Sequence, residues 1–195
     1  MKGYLDITFG PMFSGKTTEL VEKINNYLTY SLINNQNVKG LVINSNLDGI
    51  NISKIGSLSS HKKLINVKFP DNITFIKVEK LSDIKEELLD EFQYLAIDES
   101  QFFKDIEPFV KKELIKGKFI HCVGLISDTN KNKFGNFLDI FPLADNVKQL
   151  KAFCPHCKIW DKTACFTKWI GKNDKTGIIE VSASENYLPV CGNHF

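Results

Sequence analysis

The 195-residue chain contains no arginine, because all 25 of its basic residues are lysine. A guanidinium group binds a carboxylate or a phosphate through two parallel hydrogen bonds, whereas an ammonium group offers only a point charge. Any mechanism that needs a guanidinium clamp must therefore take it from another chain or do without it.

Long apolar runs and an excess of one charge are also missing. No stretch approaches the roughly 18 apolar residues of a membrane span, and the first residues lack the pattern of a secretory signal. The 25 basic and 23 acidic residues are well mixed and give a net charge of +2. We therefore expect a cytoplasmic protein that binds small molecules and neither nucleic acid nor membranes.

Up to about Leu150, short apolar runs alternate with amphipathic segments, which predicts an α/β fold with a parallel sheet. The length suits one domain with a small appendage. A segment rich in Asn, Ser, Gly and Lys, Ser45–Lys63, predicts a long mobile loop. The predicted strands are Tyr4–Phe9, Gly40–Ile43, Ile73–Lys77, Tyr94–Ile97 and Phe119–Leu125. The predicted helices are Thr17–Tyr30, Ser82–Glu91 (capped by Ser82) and Ile106–Lys116.

A glycine-rich sequence follows the first predicted strand and opens the first predicted helix. It reads Gly10-Pro-Met-Phe-Ser-Gly15-Lys16-Thr17 and fits the pattern G-x-x-x-x-G-K-[ST]. Loops of this kind curl backbone N–H groups around a polyphosphate, while the lysine reaches the β- and γ-phosphates and the hydroxyl completes a Mg²⁺ shell. The helix N-terminus attracts the same anion. The simpler alternative is a glycine turn that precedes a helix with a surface lysine.

Two adjacent carboxylates, Asp98 and Glu99, end the apolar strand Tyr94–Ile97. This is a Walker B arrangement, in which Asp98 would hold the nucleotide's Mg²⁺ through water. Successive side chains of a strand point to opposite sides, so the two carboxylates cannot share one task unless the chain bends there. A metal holder beside a general base is the simplest assignment, and a solvated strand end is the alternative.

Two pairs of metal-ligand residues occur near the end of the sequence: Cys154 with Cys157, and Cys191 with His194. Each pair has the spacing that lets both side chains reach one tetrahedral Zn²⁺, and four protein ligands indicate a structural site. Disulfide bonds are the alternative, which a reducing cytosol disfavours. His156 is interpreted as a bystander, and Cys122 as a core residue.

These motifs occur in one order and together closely resemble the type II thymidine kinases of animals, bacteria and large DNA viruses. The resemblance rests on the sequences that begin at Gly10, Asp98, Phe134, Pro142 and Ala164, and on the Cys/His pairs. It implies a RecA-like parallel sheet flanked by helices, here residues 1–150, followed by a small zinc domain, residues 151–195, that carries a lasso loop.

The resemblance further implies that the protein uses ATP, Mg²⁺ and a structural Zn²⁺ to phosphorylate the 5′-hydroxyl of thymidine. Glu99 resembles the general base. The ATP site would comprise Gly10, Pro11, Met12, Phe13, Ser14, Gly15, Lys16, Thr17, Thr18, Asp98 and Gln101. The thymidine site would comprise Met12, Phe102, Leu125, Phe134, Thr167, Val181 and Tyr187. Deoxyuridine as a second acceptor, feedback inhibition by dTTP and a homotetramer are further expectations.

The sequence departs from the family pattern at two places. Ile50 stands in the loop where the family carries an arginine that approaches the transferred phosphate, and Lys54 could supply a point charge there. The family's Gly-Leu-Asp pattern with a following aromatic residue appears here as Gly124-Leu-Ile126-Ser-Asp128-Thr129, so an acidic and an aromatic position have shifted or vanished. A catalytically impaired homologue with a regulatory or structural role therefore stays open, as does, more remotely, an ATP-driven nucleic-acid motor with a zinc ribbon.

Overall fold

The computed structural model of the chain describes residues 2–34, 36, 38–46, 59–60, 63–64, 72–171 and 184–195. Its strands are β1 (Tyr4–Phe9), β2 (Gly40–Ser45), β3 (Ser59–Ser60), β4 (Lys63–Leu64), β5 (Ile73–Val78), β6 (Tyr94–Ile97), β7 (Phe119–Gly124), β8 (Asn146–Gln149), β9 (Phe166–Trp169) and β10 (Tyr187–Val190). Its α-helices are α1 (Lys16–Ile33), α2 (Glu86–Asp90) and α3 (Ile106–Ile115). Within these residues, six parallel strands form the main sheet in the order β5-β2-β6-β7-β1-β8. The predicted α/β class is confirmed.

The central strands are buried on both faces, which explains why they are almost continuously apolar in the sequence. Alternate residues point to opposite faces, as a strand requires. Leu41 and Ile43 of β2 pack into the core on the α3 face, while Val42 between them packs against α1. Helix α1 covers its face with Leu20, Val21, Ile24 and Leu28.

The edge strand β8 was not predicted from the sequence. Three of its four residues are polar and all four are exposed, so it carries no apolar signal. It exists because its backbone pairs with β1, in register from Asp6 with Asn146 to Phe9 with Gln149. A tertiary partner therefore creates this strand, and local sequence does not.

The predicted helix Ser82–Glu91 is wrong over its first half. The structure has a 3₁₀ turn, Leu81–Asp83, then extended residues before the short helix α2. The carboxylate of Asp105, from the start of α3, accepts the N–H groups of Leu81 at 3.3 Å and of Ser82 at 2.8 Å. This long-range cap replaces the predicted local one and separates the turn from the helix.

The segment predicted as a long loop, Ser45–Lys63, lies mostly outside the described residues. Its described part includes β3, which pairs with β4 in an antiparallel ladder.

In the described portion of the chain, no helix has the length and apolar character needed to cross a membrane. The division into residues 1–150 and 151–195 stays a prediction.

A buried ion pair joins α3 to the residue that precedes β7. Glu113 is fully buried, and its carboxylate lies 3.0 Å from the ammonium of Lys118 and 3.6 Å from that of Lys116. Among the described residues, neither carboxylate oxygen of Glu113 accepts a hydrogen bond. The two ammonium groups therefore provide the compensation for a buried negative charge.

Replacing Glu113 with Gln should destabilise the protein by about 3–5 kcal/mol, because Lys118 would remain buried without a counterion. Urea unfolding followed by circular dichroism measures this change. Glu107→Gln is the matched control, since Glu107 pairs with Lys111 at the exposed surface of the same helix. The control should change stability by less than about 0.5 kcal/mol. Equal effects of the two substitutions would contradict the buried-pair interpretation.

Candidate active site and metal centre

The strand order brings three loops to one edge of the sheet. Strand β7 lies between β1 and β6, and all three are parallel, so the residues that follow them meet at their carboxyl ends. Open α/β sheets bind their ligands at this edge. Gly10, Asp98 and Leu125 are the first residues beyond β1, β6 and β7.

The loop after β1, residues 10–17, is called the glycine loop below. Two of its residues have left-handed backbones, Phe13 with φ 64° and Gly15 with φ 90°. Gly15 is the N-cap of α1, and its carbonyl accepts the first helical hydrogen bond from the N–H of Glu19. The loop therefore turns the chain sharply from the strand into a helix whose first N–H groups have no intrahelical acceptor.

Two polar groups of the glycine loop suit an anion. The hydroxyl of Ser14 is buried and has no hydrogen-bond partner among the described residues. The Lys16 ammonium donates to the Pro11 carbonyl at 2.9 Å. Burial lowers the pKa of Lys16, while the negative charges of Glu99 and Asp98 oppose this change. These groups and the helix N-terminus fit a bound polyphosphate.

Asp98 and Glu99 lie at a bend in the chain. The N–H of Asp98 still pairs with the Ile43 carbonyl at 3.0 Å, but Glu99 has a left-handed backbone with φ 47° and begins the 3₁₀ turn Ser100–Phe102. The Asp98 carboxylate accepts the Glu99 N–H at 2.9 Å. The bend breaks the regular alternation of the strand, and both carboxylates act electrostatically on Lys16.

Gln101 is buried and joins Glu99 to the loop after β7. Its Nε2 donates to Oε2 of Glu99 at 2.6 Å, and its Oε1 accepts the Leu125 N–H at 2.9 Å. Since an N–H group can only donate, the Leu125 bond determines which end of the amide faces Glu99. The same bond ends β7 at Gly124, one residue earlier than predicted. Gly135 fits closely here, because a Cβ would lie 2.0 Å from the Gln101 carbonyl oxygen.

The residues predicted for thymidine binding also come together. Met12, Leu125 and Tyr187 form one buried apolar cluster, with Phe13, Phe134 and Trp169 packed against it. We call these six residues the apolar cluster. The Phe102 ring meets Phe134 edge to face at a centroid distance of 5.6 Å. Val181 lies outside the described residues, as do Ile50 and Lys54.

Strand β9 reaches the glycine loop directly. The buried Thr167 accepts the Met12 N–H on its Oγ1 at 3.0 Å, so a residue late in the sequence satisfies a loop amide. Trp169 meets Tyr187 of β10 edge to face at 4.9 Å. Sequence reasoning did not assign Trp169 to the site, although its period-two spacing from Thr167 puts both side chains on one face of β9.

The Cys/His pairs form a compact cluster. The ligand atoms of Cys154, Cys157, Cys191 and His194 all lie within 4.8 Å of one another. Nδ1 of His194 is 3.1 Å from Sγ of Cys191, 3.5 Å from Cys157 and 3.7 Å from Cys154. A tetrahedral Zn²⁺ with bonds of about 2.3 Å to sulfur and 2.0 Å to nitrogen separates its ligands by about 3.5–3.8 Å. The donor set and the spacing are therefore compatible with a structural zinc.

The surroundings of this cluster suit thiolate ligands. Burial raises the pKa of Cys154, but hydrogen bonds from the Cys191 and His156 backbones outweigh it and lower the pKa to about 6. The Thr163 hydroxyl donates to Sγ of Cys157 at 3.4 Å. Cys122 is different, because complete burial in β7 raises the pKa of its thiol. All five cysteines are free, so the disulfide alternative has no support in the structure.

The departures after β7 fall in a tight hairpin. Asp128 accepts the N–H groups of Asn130 at 2.8 Å and Asn132 at 2.9 Å, so its carboxylate organises its own loop. Ile126 and Thr129 lie in the same hairpin, and Ile126 packs against the main core. Asp128 therefore has a local structural role in this hairpin.

The sequence matches the family model described as thymidine kinase over residues 3–195. The thymidine kinase of Amsacta moorei entomopoxvirus is 34% identical over 189 residues, which cover 96% of this chain and 94% of the relative. That of Variola virus is 32% identical, with 97% of this chain and 94% of the relative covered. That of Oryza sativa subsp. japonica is 34% identical over 99% of this chain and 66% of the relative. The similarity thus spans the glycine loop, the apolar cluster and the Cys/His cluster.

Thr167→Val should destabilise the protein by about 1–3 kcal/mol, because the isosteric change leaves the buried Met12 N–H without an acceptor. Thr167→Ser keeps the hydroxyl and serves as the control. Urea unfolding measures both variants. If the valine and serine variants were equally stable, the hydrogen bond between β9 and the glycine loop would contribute nothing to the free energy of unfolding.

Proposed function

Because this chain belongs to the thymidine kinase family, we propose that it is an ATP-dependent thymidine kinase, which transfers the γ-phosphate of ATP to the 5′-hydroxyl of thymidine and yields dTMP. One observation carries the proposal. The carboxyl ends of β1, β6 and β7 bring an anion-binding loop, two carboxylates and an apolar cluster to one edge of the sheet. The anion-binding loop suits a phosphoryl donor, the carboxylates offer a proton acceptor, and the apolar cluster suits a nucleoside base.

The glycine loop would hold the triphosphate. Lys16 supplies a positive charge, the Ser14 hydroxyl is an unused polar group in the loop, and the N-terminus of α1 points toward the same position. Thr17 and Asp98 have the oxygen ligands that Mg²⁺ prefers. When bound, Mg²⁺ would neutralise charge that develops on the phosphate oxygens. The proposed ATP site thus comprises Gly10 to Thr18, Asp98 and Gln101.

Glu99 would act as the general base. It accepts the proton of the 5′-hydroxyl while that oxygen bonds to the γ-phosphorus and the bond to the β,γ-bridging oxygen breaks, leaving ADP. The hydrogen bond from Gln101 directs one oxygen of Glu99 and leaves the other available. Because Gln101 is buried and held by Leu125, the carboxylate keeps one orientation without a bound substrate.

The apolar cluster would bind the base of the nucleoside. Phe102 and Phe134 offer ring faces and edges, while Met12 and Leu125 offer an apolar surface suited to a 5-methyl group. Thr167 and Tyr187 bring β9 and β10 to the same cluster, and Val181 is proposed as a further contact from the lasso loop. Deoxyuridine lacks only the methyl group, so we expect weaker but measurable use of it.

Further proposals follow from the family. Feedback inhibition by dTTP suits a site that accepts a thymine base next to a triphosphate loop. We also propose a cytoplasmic homotetramer and a division into a nucleotide-binding unit, 1–150, and a zinc unit, 151–195. The missing arginine at Ile50 favours slow turnover, and together with the departure at Ile126 it supports the catalytically impaired homologue.

The decisive experiment is a panel of nucleosides with γ-labelled ATP and Mg²⁺. Thymidine should be phosphorylated best, deoxyuridine less well, and purine nucleosides not detectably. If DNA rather than a nucleoside stimulated the release of labelled phosphate from ATP, the result would favour the nucleic-acid motor. ATP binding without phosphorylation of any nucleoside would favour the impaired homologue.

The two carboxylates should differ in their kinetics. Glu99→Gln should lower kcat by about 10²–10⁴ with ATP binding nearly unchanged, because only proton removal is lost. Asp98→Asn should instead change the Mg²⁺ dependence of the rate. Steady-state kinetics across Mg²⁺ concentrations separate the two effects. If excess Mg²⁺ rescued both variants equally, the assignment of Glu99 as the base would be wrong.

We expect one Zn²⁺ per chain at the Cys/His cluster, as elemental analysis of protein purified without chelator would measure. Cys157→Ala should lose the metal and raise the thymidine KM before the nucleotide-binding core unfolds. Cys165→Ala is the matched control, because Cys165 lies nearby but outside the cluster. Absence of stoichiometric zinc in the native protein, or equal loss in the control, would overturn this assignment.

A further inference from the structure

One lysine connects the hairpin after β7 to the zinc-ligand region. Lys131 lies near the tip of the hairpin of residues 125–134, where its backbone is left-handed with φ 64°. Its ammonium lies 3.9 Å from the ring centroid of Phe195 and 4.4 Å from that of Phe166. The two rings meet edge to face at 5.7 Å. A cation within about 6 Å of a ring face is attracted by the ring's quadrupole.

The base of this hairpin forms one wall of the apolar cluster. Leu125 and Phe134 belong to the cluster and lie at the two ends of the hairpin. The hairpin is held by the bond from the Phe134 N–H to the Ile126 carbonyl at 3.0 Å and by pairing of Ser127 with Lys133. Asp128 fixes its tip, as described above. Backbone and side-chain hydrogen bonds therefore join the two arms of the hairpin and its tip.

One of the two rings held by Lys131 belongs to β9, the strand that carries the opposite wall of the apolar cluster. The Phe166 ring itself packs against the small core around Cys154 and Cys191, on the other face of that strand. Phe166 precedes Thr167 on β9, and Thr167 accepts the Met12 N–H of the glycine loop. Trp169, on the same strand, packs against the cluster and contacts Tyr187. Phe195 follows His194 of the metal cluster directly. One side chain thus joins the wall made by β7 and its hairpin to the wall made by β9 and β10.

We propose that Lys131 is a positioning residue, which sets the separation of the two walls of the nucleoside site through its contacts with Phe166 and Phe195. This inference rests on the proposed function. It predicts an effect on binding of the nucleoside rather than on phosphoryl transfer, because Lys131 touches neither the glycine loop nor Glu99. The arginine-free chain uses an ammonium here in a contact that a guanidinium could make equally well.

The experiment compares Lys131→Met with Lys131→Arg. Both variants keep a side chain at a left-handed position, so the backbone cost is similar, but only arginine keeps the cation. Lys131→Met should raise the thymidine KM about fivefold or more, with the ATP KM and kcat within twofold of native. Lys131→Arg should restore the thymidine KM to within twofold. Phe195→Leu should weaken thymidine binding less, and adding it to Lys131→Met should have little further effect.

Lys162→Met is the matched control, because Lys162 is an exposed lysine whose ammonium lies 5.9 Å from the Phe153 ring, away from both walls. Lys162→Met should leave the thymidine KM, the ATP KM and kcat unchanged. An unchanged thymidine KM in Lys131→Met would overturn the proposal. A thymidine KM that stays raised in Lys131→Arg would also overturn it, as would an equal rise of the thymidine KM in Lys162→Met.

A second measurement does not depend on activity. Hydrogen exchange of the peptide that contains β9 should be faster in Lys131→Met than in the native chain or Lys131→Arg, with zinc content unchanged. If the native chain phosphorylates no nucleoside, the proposed function fails, and exchange still tests the contact. Unchanged exchange in Lys131→Met would refute the positioning role even in an active enzyme.

Discussion

The pairing of β7 with β1 on one side and β6 on the other determines what the site can contain. Because all three strands run in the same direction, the glycine loop, the two carboxylates and the loop after β7 have to emerge at one edge. The pairing is stabilised by apolar side chains on both faces of the sheet. Hydrophobic burial thus supplies the free energy that brings the glycine loop, the two carboxylates and the loop after β7 together.

Most of the sheet could be predicted because its central strands are buried on both faces and are therefore apolar runs. The exposed strand β8 could not, since it depends on pairing with β1. The predicted helix at Ser82 failed for a similar reason, because the Asp105 carboxylate caps the segment from a distance. Local patterns thus predict the elements that burial shapes, and they miss those that a distant partner creates.

The same distinction holds for the site. The glycine loop, Asp98 and the Cys/His pairs have local spacings, so the sequence alone could propose them. The bond between Gln101 and Leu125 and the contact of Lys131 with Phe195 join residues that are far apart in the sequence, so no local pattern reveals them. The roles of individual residues in catalysis and binding stay predictions, since what the structure establishes is proximity.

The absence of arginine makes every strong cation contact in the chain an ammonium contact. In the described residues, lysines form the buried pair with Glu113 and the pair with Asp6 at 2.7 Å. A point charge is sufficient for such pairs, because nothing in them requires two parallel hydrogen bonds. In the proposed reaction the transferred phosphate would accept two parallel hydrogen bonds from a guanidinium, so the absence of arginine would affect that reaction more than it affects folding.

The bend at Glu99 places a non-glycine residue in the left-handed region, with φ 47°. A left-handed backbone is unfavourable for glutamate by about 1–2 kcal/mol, and it persists only if its neighbours stabilise it. Asp98 accepts the Glu99 N–H, Gln101 holds the Glu99 side chain, and the Ser100 hydroxyl donates to the Ile97 carbonyl at 3.0 Å. A regular strand would send the two carboxylates to opposite faces of the sheet. The strained residue therefore breaks the strand alternation between two neighbouring carboxylates, both of which act electrostatically on Lys16.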